Sequence, residues 1–383
     1  MRTILYISSA GDIGGAEVSL LRILKHLDRS RFRPVVLSCR QGLFPRRLAQ
    51  EQVEHEVIPF DLSLNRLLHP ASLVRNILSL WRVYSRLRDE RFALVCCNDN
   101  LTLKLLFLPL VFCRKPGVCH LRNFETKRVW MIRYLLRHRI ARTLAVSHAV
   151  KNDFVQRMHL DENTILVLHM GIDLDSFNRA AALGTLRTEL HLDHNVKLVG
   201  MIARFDVWKG HFCFLKAAQR VLRHRKDVHF VIIGEVTMHD LFPRFLRYKH
   251  EVLEYAKHPD LRDRIHFLGW REDVPSALKS LDILVCPSEN EPFGLVLLEA
   301  SAAGVPVVGS NSGGIPEIIR HRSNGLLFKP GDDYELAKTM EELLDDNELR
   351  SRLIAKGYEI VKTHHSMERF MSMLEGVYEK AMA

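Results

Sequence analysis

Residues 287–300 read Pro287-Ser288-Glu289-Asn290-Glu291-Pro292-Phe293-Gly294-Leu295-Val296-Leu297-Leu298-Glu299-Ala300. The apolar run Ile283–Pro287 leading into them has the length and composition of a buried strand. Proline and glycine then turn the chain, and the run from Leu295 opens an apolar helix. That turn leaves the backbone N–H groups around Phe293–Leu295 at a helix start, free to face a phosphate. Glu291 stands in the turn and Glu299 about two helical turns further on. Ionised carboxylates accept hydrogen bonds from paired sugar hydroxyls, so Glu291 suits a hexose and Glu299 a ribose.

The same strand–turn–helix unit repeats on both sides of this block. Candidate strands are Thr3–Ser8, Arg33–Cys39, His55–Pro59, Ala93–Cys97, Gly117–Leu121, Thr143–Ser147 and Thr164–Leu168. After a polar stretch near Ala180–Asn195 the alternation restarts, with Lys197–Ala203, Val228–Gly234, Ile265–Leu268, Ile283–Pro287, Pro306–Gly309 and Gly325–Phe328. Many are β-branched and unbroken by polar residues, as buried parallel strands are. Two such series in 383 residues predict an α/β protein of two doubly wound domains, with a boundary between about 170 and 196. Ligands of such sheets sit beyond the carboxyl ends of the strands, and the cleft between two facing domains is the first place to expect one.

Hydrophobic residues make up 47% and charged residues 26%, which argues against a largely disordered, collagenous or wholly membrane-embedded chain. The seven cysteines are scattered and include no Cys-x-x-Cys, so reduced, partly buried thiols of a cytoplasmic protein are expected, without a structural zinc. Met1–Glu17 reads as a first strand running into a glycine loop rather than a signal peptide. The apolar stretch Leu101–Cys113 is too short to span a bilayer.

The net charge of +10 is uneven. Residues 1–170 hold 27 basic and 14 acidic side chains, whereas the remainder holds 28 and 31. The first half therefore favours anionic partners: nucleic acid, lipid headgroups or phosphorylated substrates. Pro70–Arg91 places Leu73, Val74, Ile77, Leu80, Trp81, Tyr84 and Leu87 on one helical face, with Arg75, Arg82, Arg86 and Arg88 largely on others. Thr126–Arg142 surrounds Trp130, Ile132, Tyr134, Leu135 and Leu136 with Lys127, Arg128, Arg133, Arg137, Arg139 and Arg142. Either suits a helix lying on an anionic membrane, and equally an ordinary domain helix with a solvated basic face.

Further loops carry chemistry. Gly11-Asp12-Ile13-Gly14-Gly15-Ala16-Glu17 follows the first strand, where glycines admit close backbone approach and a helix start favours an anion such as a diphosphate; a plain tight turn gives the same pattern. It is neither Gly-x-Gly-x-x-Gly nor a Walker loop, which weakens dinucleotide and P-loop readings. Arg204 ends the first strand of the second half and Lys209-Gly210 follows. Two cations there suit a diphosphate leaving group, or are solvated loop charges. Gly313-Gly314-Ile315-Pro316-Glu317 and Gly269-Trp270-Arg271-Glu272-Asp273-Val274 follow strands of the same half.

Taken in order, GGAE (14–17), SHAVKNDF (147–154), HMGIDLDSF (169–177), ARFDVWKG (203–210), FLGWREDV (267–274) and CPSENEPFGLVLLEASAAGVPVVGSNSGGIPEII (286–319) resemble family 4 of the retaining glycosyltransferases, the "glycosyl transferases group 1" class with the GT-B fold. The resemblance spans nearly the whole chain and is most specific in its last block. It implies two Rossmann-like domains facing across a cleft: residues 1–180 binding the acceptor, 181–365 binding the nucleotide-sugar, and a helix over 366–383 packing back on the first domain. It implies Arg204 and Lys209 on the donor diphosphate. Glu291 with the backbone of Pro292, Phe293, Gly294 and Leu295 would hold the donor sugar, and Glu299 the ribose. Gly14 and Gly15 would let the first domain close over the phosphates. His120 ends a strand where the family often has a histidine near the donor sugar, although Cys119-His120-Leu121-Arg122-Asn123 is not a close match and a packed or solvated histidine fits as well.

No metal and no cofactor are expected, since the cations and the helix dipole take a metal's place and the nucleotide-sugar is a substrate. Glu291 and Glu299 are not read as the flanking acid and nucleophile of a glycosidase. The expected reaction is front-face transfer with retention, from a UDP-sugar by default, to a saccharide acceptor, lipid-linked, in cell-surface polysaccharide or lipopolysaccharide assembly. The chain is expected to be cytoplasmic, peripheral on the inner face of the cell membrane, and not to bind nucleic acid. Alternatives are a sugar-nucleotide epimerase or hydrolase of the same fold, and a basic nucleic-acid-binding protein, which leaves the Glu-x7-Glu block unexplained.

Overall fold

The structure is a computed structural model that describes residues 1–61, 69–125, 129–178, 185–237 and 244–383. Strands β1 (Arg2–Ser8), β2 (Phe32–Ser38), β3 (His55–Val57), β4 (Phe92–Cys97), β5 (Gly117–Leu121), β6 (Ile140–Ala145) and β7 (Ile165–Val167) form one sheet in the order β3-β2-β1-β4-β5-β6-β7. Strands β8 (Lys197–Ile202), β9 (Val228–Ile233), β10 (Ile265–Gly269), β11 (Ile283–Cys286), β12 (Val307–Ser310) and β13 (Leu326–Phe328) form a second, in the order β10-β9-β8-β11-β12-β13. The pairings are parallel throughout, with Leu5 of β1 set between Val35 of β2 and Val95 of β4. Each strand falls where the apolar runs predict one. All six residues of β9 are buried, as an unbroken apolar strand between two helical layers requires.

In each sheet the strand order reverses once, between β1 and β4 and between β8 and β11. The crevice at such a reversal, outside the carboxyl ends of the two strands, is where doubly wound sheets bind ligands. Those ends are Ser8 and Cys97 in the first sheet, and Ile202 and Cys286 in the second.

The chain divides into two compact units, Met1–Met170 with Phe370–Ala383, and Gly171–Arg369. The division expected at 180/181 falls within 179–184, outside the described residues. The C-terminal helix Met367–Met382 is tied to the first sheet by Tyr378, whose ring meets Tyr6 and Phe32 edge-on, both at 6.2 Å between centroids. Glu375 accepts hydrogen bonds from the Asp28 N–H (3.0 Å) and from Arg31 (2.9 Å). All seven cysteines are free and buried.

The two basic segments form helices shorter than the segments read from the sequence. The first forms a helix over Pro70–Arg88, ending before β4 claims Phe92. Its inward face is largely polar, and of the apolar face read from the sequence only Leu87 is buried. Ser72 donates to Asp61 Oδ2 (2.7 Å), the Asn76 amide bonds the Asp61 backbone, and Ser79 donates to the Pro59 carbonyl (2.7 Å). The chain at Pro59–Asp61 presents backbone groups and a carboxylate to the helix, and only a polar face satisfies them. Val83 and Leu87 complete the packed side, while Leu73, Val74, Ile77 and Trp81 are exposed. In the second segment Lys127 and Arg128 lie outside the described residues. The helix spans Trp130–His138, and Arg142 belongs to β6 rather than to a helix.

Candidate active site

At the end of β8 the chain passes through Arg204, Phe205 and Asp206, makes a single 3-10 turn over Val207–Lys209, and enters the helix His211–His224. Gly210 joins turn to helix at φ +78°, and a Cβ there would lie 2.2 Å from the Pro287 carbonyl oxygen. Only glycine combines that backbone with that approach. It seats the Lys209 turn against the end of β11, where the Glu289 N–H also donates to the Trp208 carbonyl (2.7 Å).

This brings Lys209 and Glu291, 82 residues apart in sequence, to 2.7 Å between Nζ and Oε2, with both side chains largely buried. Burial pushes the Glu291 carboxyl up. The adjacent Lys209 ammonium, the Ser288 hydroxyl and the Arg204 charge outweigh it and hold the carboxyl below its ordinary value. Glu291 is therefore an anion at neutral pH, with acceptor capacity beyond the one lysine bond.

The turn after Glu291 is equally constrained. Gly313, at φ +57°, passes so close that a Cβ would lie 2.2 Å from the Glu291 carbonyl oxygen, and the Gly314 N–H donates to that oxygen (2.7 Å). Ser310 donates to the Ser288 carbonyl, and the Ser312 hydroxyl accepts from the Asn290 N–H (2.8 Å). Thus the glycine loop after β12 braces the one after β11. Gly294 caps the helix Leu295–Ala302, which carries Glu299, buried at 8% exposure, on its second turn. The structure thereby brings Arg204, Lys209, Glu291, the 292–295 turn and Glu299 to the carboxyl ends of β8 and β11, the reversal point of the second sheet.

Three residues of this neighbourhood escaped sequence reasoning. Asp206 is fully buried, with Oδ2 3.2 Å from Arg204 Nη2. Burial outweighs the attraction of Arg204 and Lys209, and the carboxyl is pushed up to about 6. An ion pair with a raised acid is consistent: the acid has lost its water entirely, while the guanidinium remains one-third exposed. His211 is fully buried and stacks on Phe205 at 4.6 Å, and neither ring nitrogen meets a hydrogen-bond partner among the described residues. Burial and the Lys209 charge push it down to about 3, so it is neutral. Tyr248 packs edge-on to His211 at 5.7 Å. Asp206 lies inside the quoted ARFDVWKG segment, but its burial comes from packing that the segment does not encode.

The remaining predicted residues belong to the first unit. Gly14 caps the helix Gly15–His26, and its N–H donates to Glu17 Oε2 (3.1 Å), while Ser8 donates to Glu17 Oε1 (3.0 Å). Burial, reinforced by the Asp99 charge, pushes Glu17 up to about 7. A Cβ on Gly15 would meet nothing within 4 Å, so packing does not explain the glycine there. His120 is buried near the end of β5. Its Nε2 meets no hydrogen-bond partner among the described residues, and burial, then Arg122, drives it far below its ordinary value, so the ring is neutral.

Among the described residues, no helix is long and apolar enough to cross a membrane. The family described as Glycosyltransferase Family 4 matches residues 13–176, and the family described as Glycosyl transferases group 1 matches residues 184–360. The UDP-Gal:alpha-D-GlcNAc-diphosphoundecaprenol alpha-1,3-galactosyltransferase of Escherichia coli is 27% identical over 311 residues, 76% of this chain and 78% of that one. The N-acetyl-alpha-D-glucosaminyl L-malate synthase of Bacillus anthracis is 39% identical over 234 residues, 61% of this chain and 58% of that one. Among solved structures, Anabaena HepE in complex with UDP and glucose superposes with a TM-score of 0.83 at 22% identity, covering 99% of this chain and all of that one. Two parallel sheets with their reversal points, the braced loops after β8 and β11 and two family matches that between them take in nearly every residue converge on one assignment: the chain belongs to the family 4, group 1 glycosyltransferases and is a glycosyltransferase of GT-B fold.

Proposed function

We propose that the chain transfers a sugar from a UDP-sugar to a saccharide acceptor, lipid-linked, with retention of anomeric configuration. The observation that carries this reading is the Lys209–Glu291 pair beside Arg204 at the reversal point of the second sheet. A cation and an anion held together there match the two ends of a sugar diphosphate. Lys209 and Arg204 face the phosphates, and Glu291 accepts from sugar hydroxyls. The N–H groups of the 292–295 turn add a helix N-terminus to the phosphate side, and Glu299 accepts from the ribose. In the first unit, Gly15 leaves open backbone at the start of the helix Gly15–His26, a surface that lets a phosphate approach closely. Support for uridine comes from the UDP bound to the Anabaena neighbour and the UDP-Gal in the Escherichia coli relative's name, which also supplies the precedent of a diphosphoundecaprenol-linked acceptor.

In this mechanism the acceptor hydroxyl approaches the anomeric carbon on the face from which the diphosphate departs. The carbon–oxygen bond to phosphate breaks as the glycosidic bond forms, and the departing phosphate oxygen takes the hydroxyl proton. Arg204 and Lys209 stabilise the charge that develops on the diphosphate, the task a metal performs in other transferases. No metal enters the scheme.

The test is a thermal-shift screen of UDP, GDP, ADP and their common sugars, with and without EDTA. At 100 times its dissociation constant the correct nucleotide stabilises by ~2.7 kcal/mol. A shift confined to UDP compounds, surviving EDTA and lost in Glu299→Ala, is the expected result. A shift that EDTA abolishes, or that Glu299→Ala retains in full, refutes the assignment.

A further inference from the structure

We propose that the outward face formed by the helices Pro70–Arg88, Phe107–Val111 and Trp130–His138 of the first unit docks on an anionic lipid bilayer. The three helices are neighbours. The first packs on the second, and Phe107 of the second meets Trp130 of the third edge-on at 5.1 Å. Their outward side carries Ile77 and Trp81, Leu108 and Phe112, and Trp130, each more than half exposed and Trp81 and Trp130 at 66%. Scattered exposed apolar residues are ordinary, but large ones concentrated on adjoining helices mark an interaction site.

This exposure is built in. On Pro70–Arg88 the serines and asparagine that bond Pro59–Asp61 occupy the inward positions, so among the described residues the apolar stripe has no core to enter. The fold uses hydrogen bonds to hold that stripe outward. Two exposed tryptophans suit the headgroup level of a bilayer, where an apolar ring with one polar N–H is best solvated.

Charge selects the occupant. Residues 70–142 contain fifteen Lys and Arg against four Asp and Glu. Arg122 is buried, Arg86, Arg91 and Lys104 pair with carboxylates, and Lys127 and Arg128 lie outside the described residues, which leaves Arg82, Arg88, Arg114 and Arg139 among the exposed cations. A second copy of the chain would present the same patch to itself across a two-fold axis and set like charges together. An anionic membrane instead meets the arginines with opposite charge while their stems lie over the acyl boundary. The helices lie on the surface rather than cross it. The inference goes beyond the glycosyl-transfer reading and stands without it, because docking requires no donor.

The experiment is co-sedimentation of the full chain with vesicles of phosphatidylcholine alone and of phosphatidylcholine with about 30% phosphatidylglycerol. Binding to the anionic vesicles is expected to exceed binding to the neutral ones by about tenfold or more, and to fall as salt rises from about 0.1 to about 0.5 M. The triple variant Ile77→Ser, Trp81→Ser, Trp130→Ser is expected to lose about tenfold or more in vesicle affinity, and Arg82→Glu with Arg114→Glu to lose about as much. Any nucleotide-induced shift stays at the wild-type value in both, since all five side chains are exposed, and the melting temperature falls by no more than ~2–4 °C in the triple variant, for the lost Trp130–Phe107 contact. Absence of wild-type binding to anionic vesicles overturns the proposal, and so does binding that the triple variant retains. A dimer in sedimentation velocity that the triple variant dissolves would give the face to a second copy and overturn it too. A wild type that binds vesicles but shows no nucleotide shift would count against the glycosyl-transfer reading alone.

Discussion

Replacing Lys209 with alanine removes the cation 2.7 Å from a carboxylate that is only 10% exposed. Breaking a buried ion pair by deleting one partner costs ~3–5 kcal/mol, because the other charge is left without water or a counter-ion. Glu291 keeps the Ser288 hydroxyl and the Arg204 charge, so the loss falls to the bottom of that range or just below it, ~2–3 kcal/mol at pH 7. For a unit of about 200 residues, each kcal/mol moves the melting temperature by ~2–4 °C, and a loss of about 5–10 °C follows. The loss depends on pH with a definite sign. In the wild type the Glu291 carboxyl is held below 4.5, so its contribution is complete above that value and disappears only as pH falls through the lowered one. In Lys209→Ala the first cause, burial, is opposed by less, and the carboxyl moves up. Near pH 4.5 the variant's Glu291 then takes a proton that the wild type's refuses, and the gap in melting temperature narrows. Scanning calorimetry of wild type, Lys209→Ala, Glu291→Gln and the double variant at pH 7 and pH 4.5 measures this directly. The double variant should recover ~1 kcal/mol or more over Lys209→Ala alone, since a neutral amide in place of the Glu291 carboxylate needs no counter-charge. A gap equal at both pH values, or a double variant no more stable than the single, would refute the reasoning. Turnover in Lys209→Ala should fall by ~10²-fold or more, the usual loss for one charge-stabilising donor.

Two further outcomes follow from neighbouring groups. Asp206, raised from 3.8 to about 6, weakens the fold as pH climbs through that window, because the unfolded chain gives up its proton first. Asp206→Asn should therefore raise the melting temperature at about pH 7.5 but not at about pH 3.5, while lowering turnover through loss of the Arg204 anchor; a variant less stable at the higher pH would contradict this. Gly210→Ala, at φ +78° and 2.2 Å from the Pro287 carbonyl oxygen, should cost ~2 kcal/mol or more in urea unfolding, whereas Gly15→Ala, with open space for its Cβ, should stay within ~0.5 kcal/mol. If Gly15 serves the donor, its substitution instead raises KM for the nucleotide-sugar, and unchanged KM would release it from that role.

The strands were legible because most are buried on both faces and thus read as apolar runs, independent of their neighbours. The gathering of Arg204, Lys209, Glu291 and Glu299 at the ends of β8 and β11 was legible for a related reason: a loop after a buried parallel strand occupies the ligand-binding end of its sheet whatever the tertiary detail. What sequence could not supply was the consequence of packing between distant segments. Asp206 and His211 are ordinary letters in a basic loop: burial makes the first a raised acid, and the second is a neutral imidazole because it is buried between Phe205 and Tyr248.

The helix Pro70–Arg88 shows the limit most sharply. A period of 3.6 divides its residues into an apolar and a polar face, and the sequence encodes that division correctly. Which face turns inward is not a property of the helix. It is decided by what the preceding chain offers, and Pro59–Asp61 offers two carbonyls, an N–H and a carboxylate, which Ser72, Asn76 and Ser79 answer. Burying Ile77 and Trp81 instead would cost these groups the helix's hydrogen bonds at ~1–3 kcal/mol each, comparable to the ~1.5–3 kcal/mol that burying each large apolar side chain contributes. With the two arrangements so nearly balanced, the hydrogen bonds to the preceding chain decide the outcome: the serine face keeps its partners, and the apolar stripe is left for a surface outside the fold.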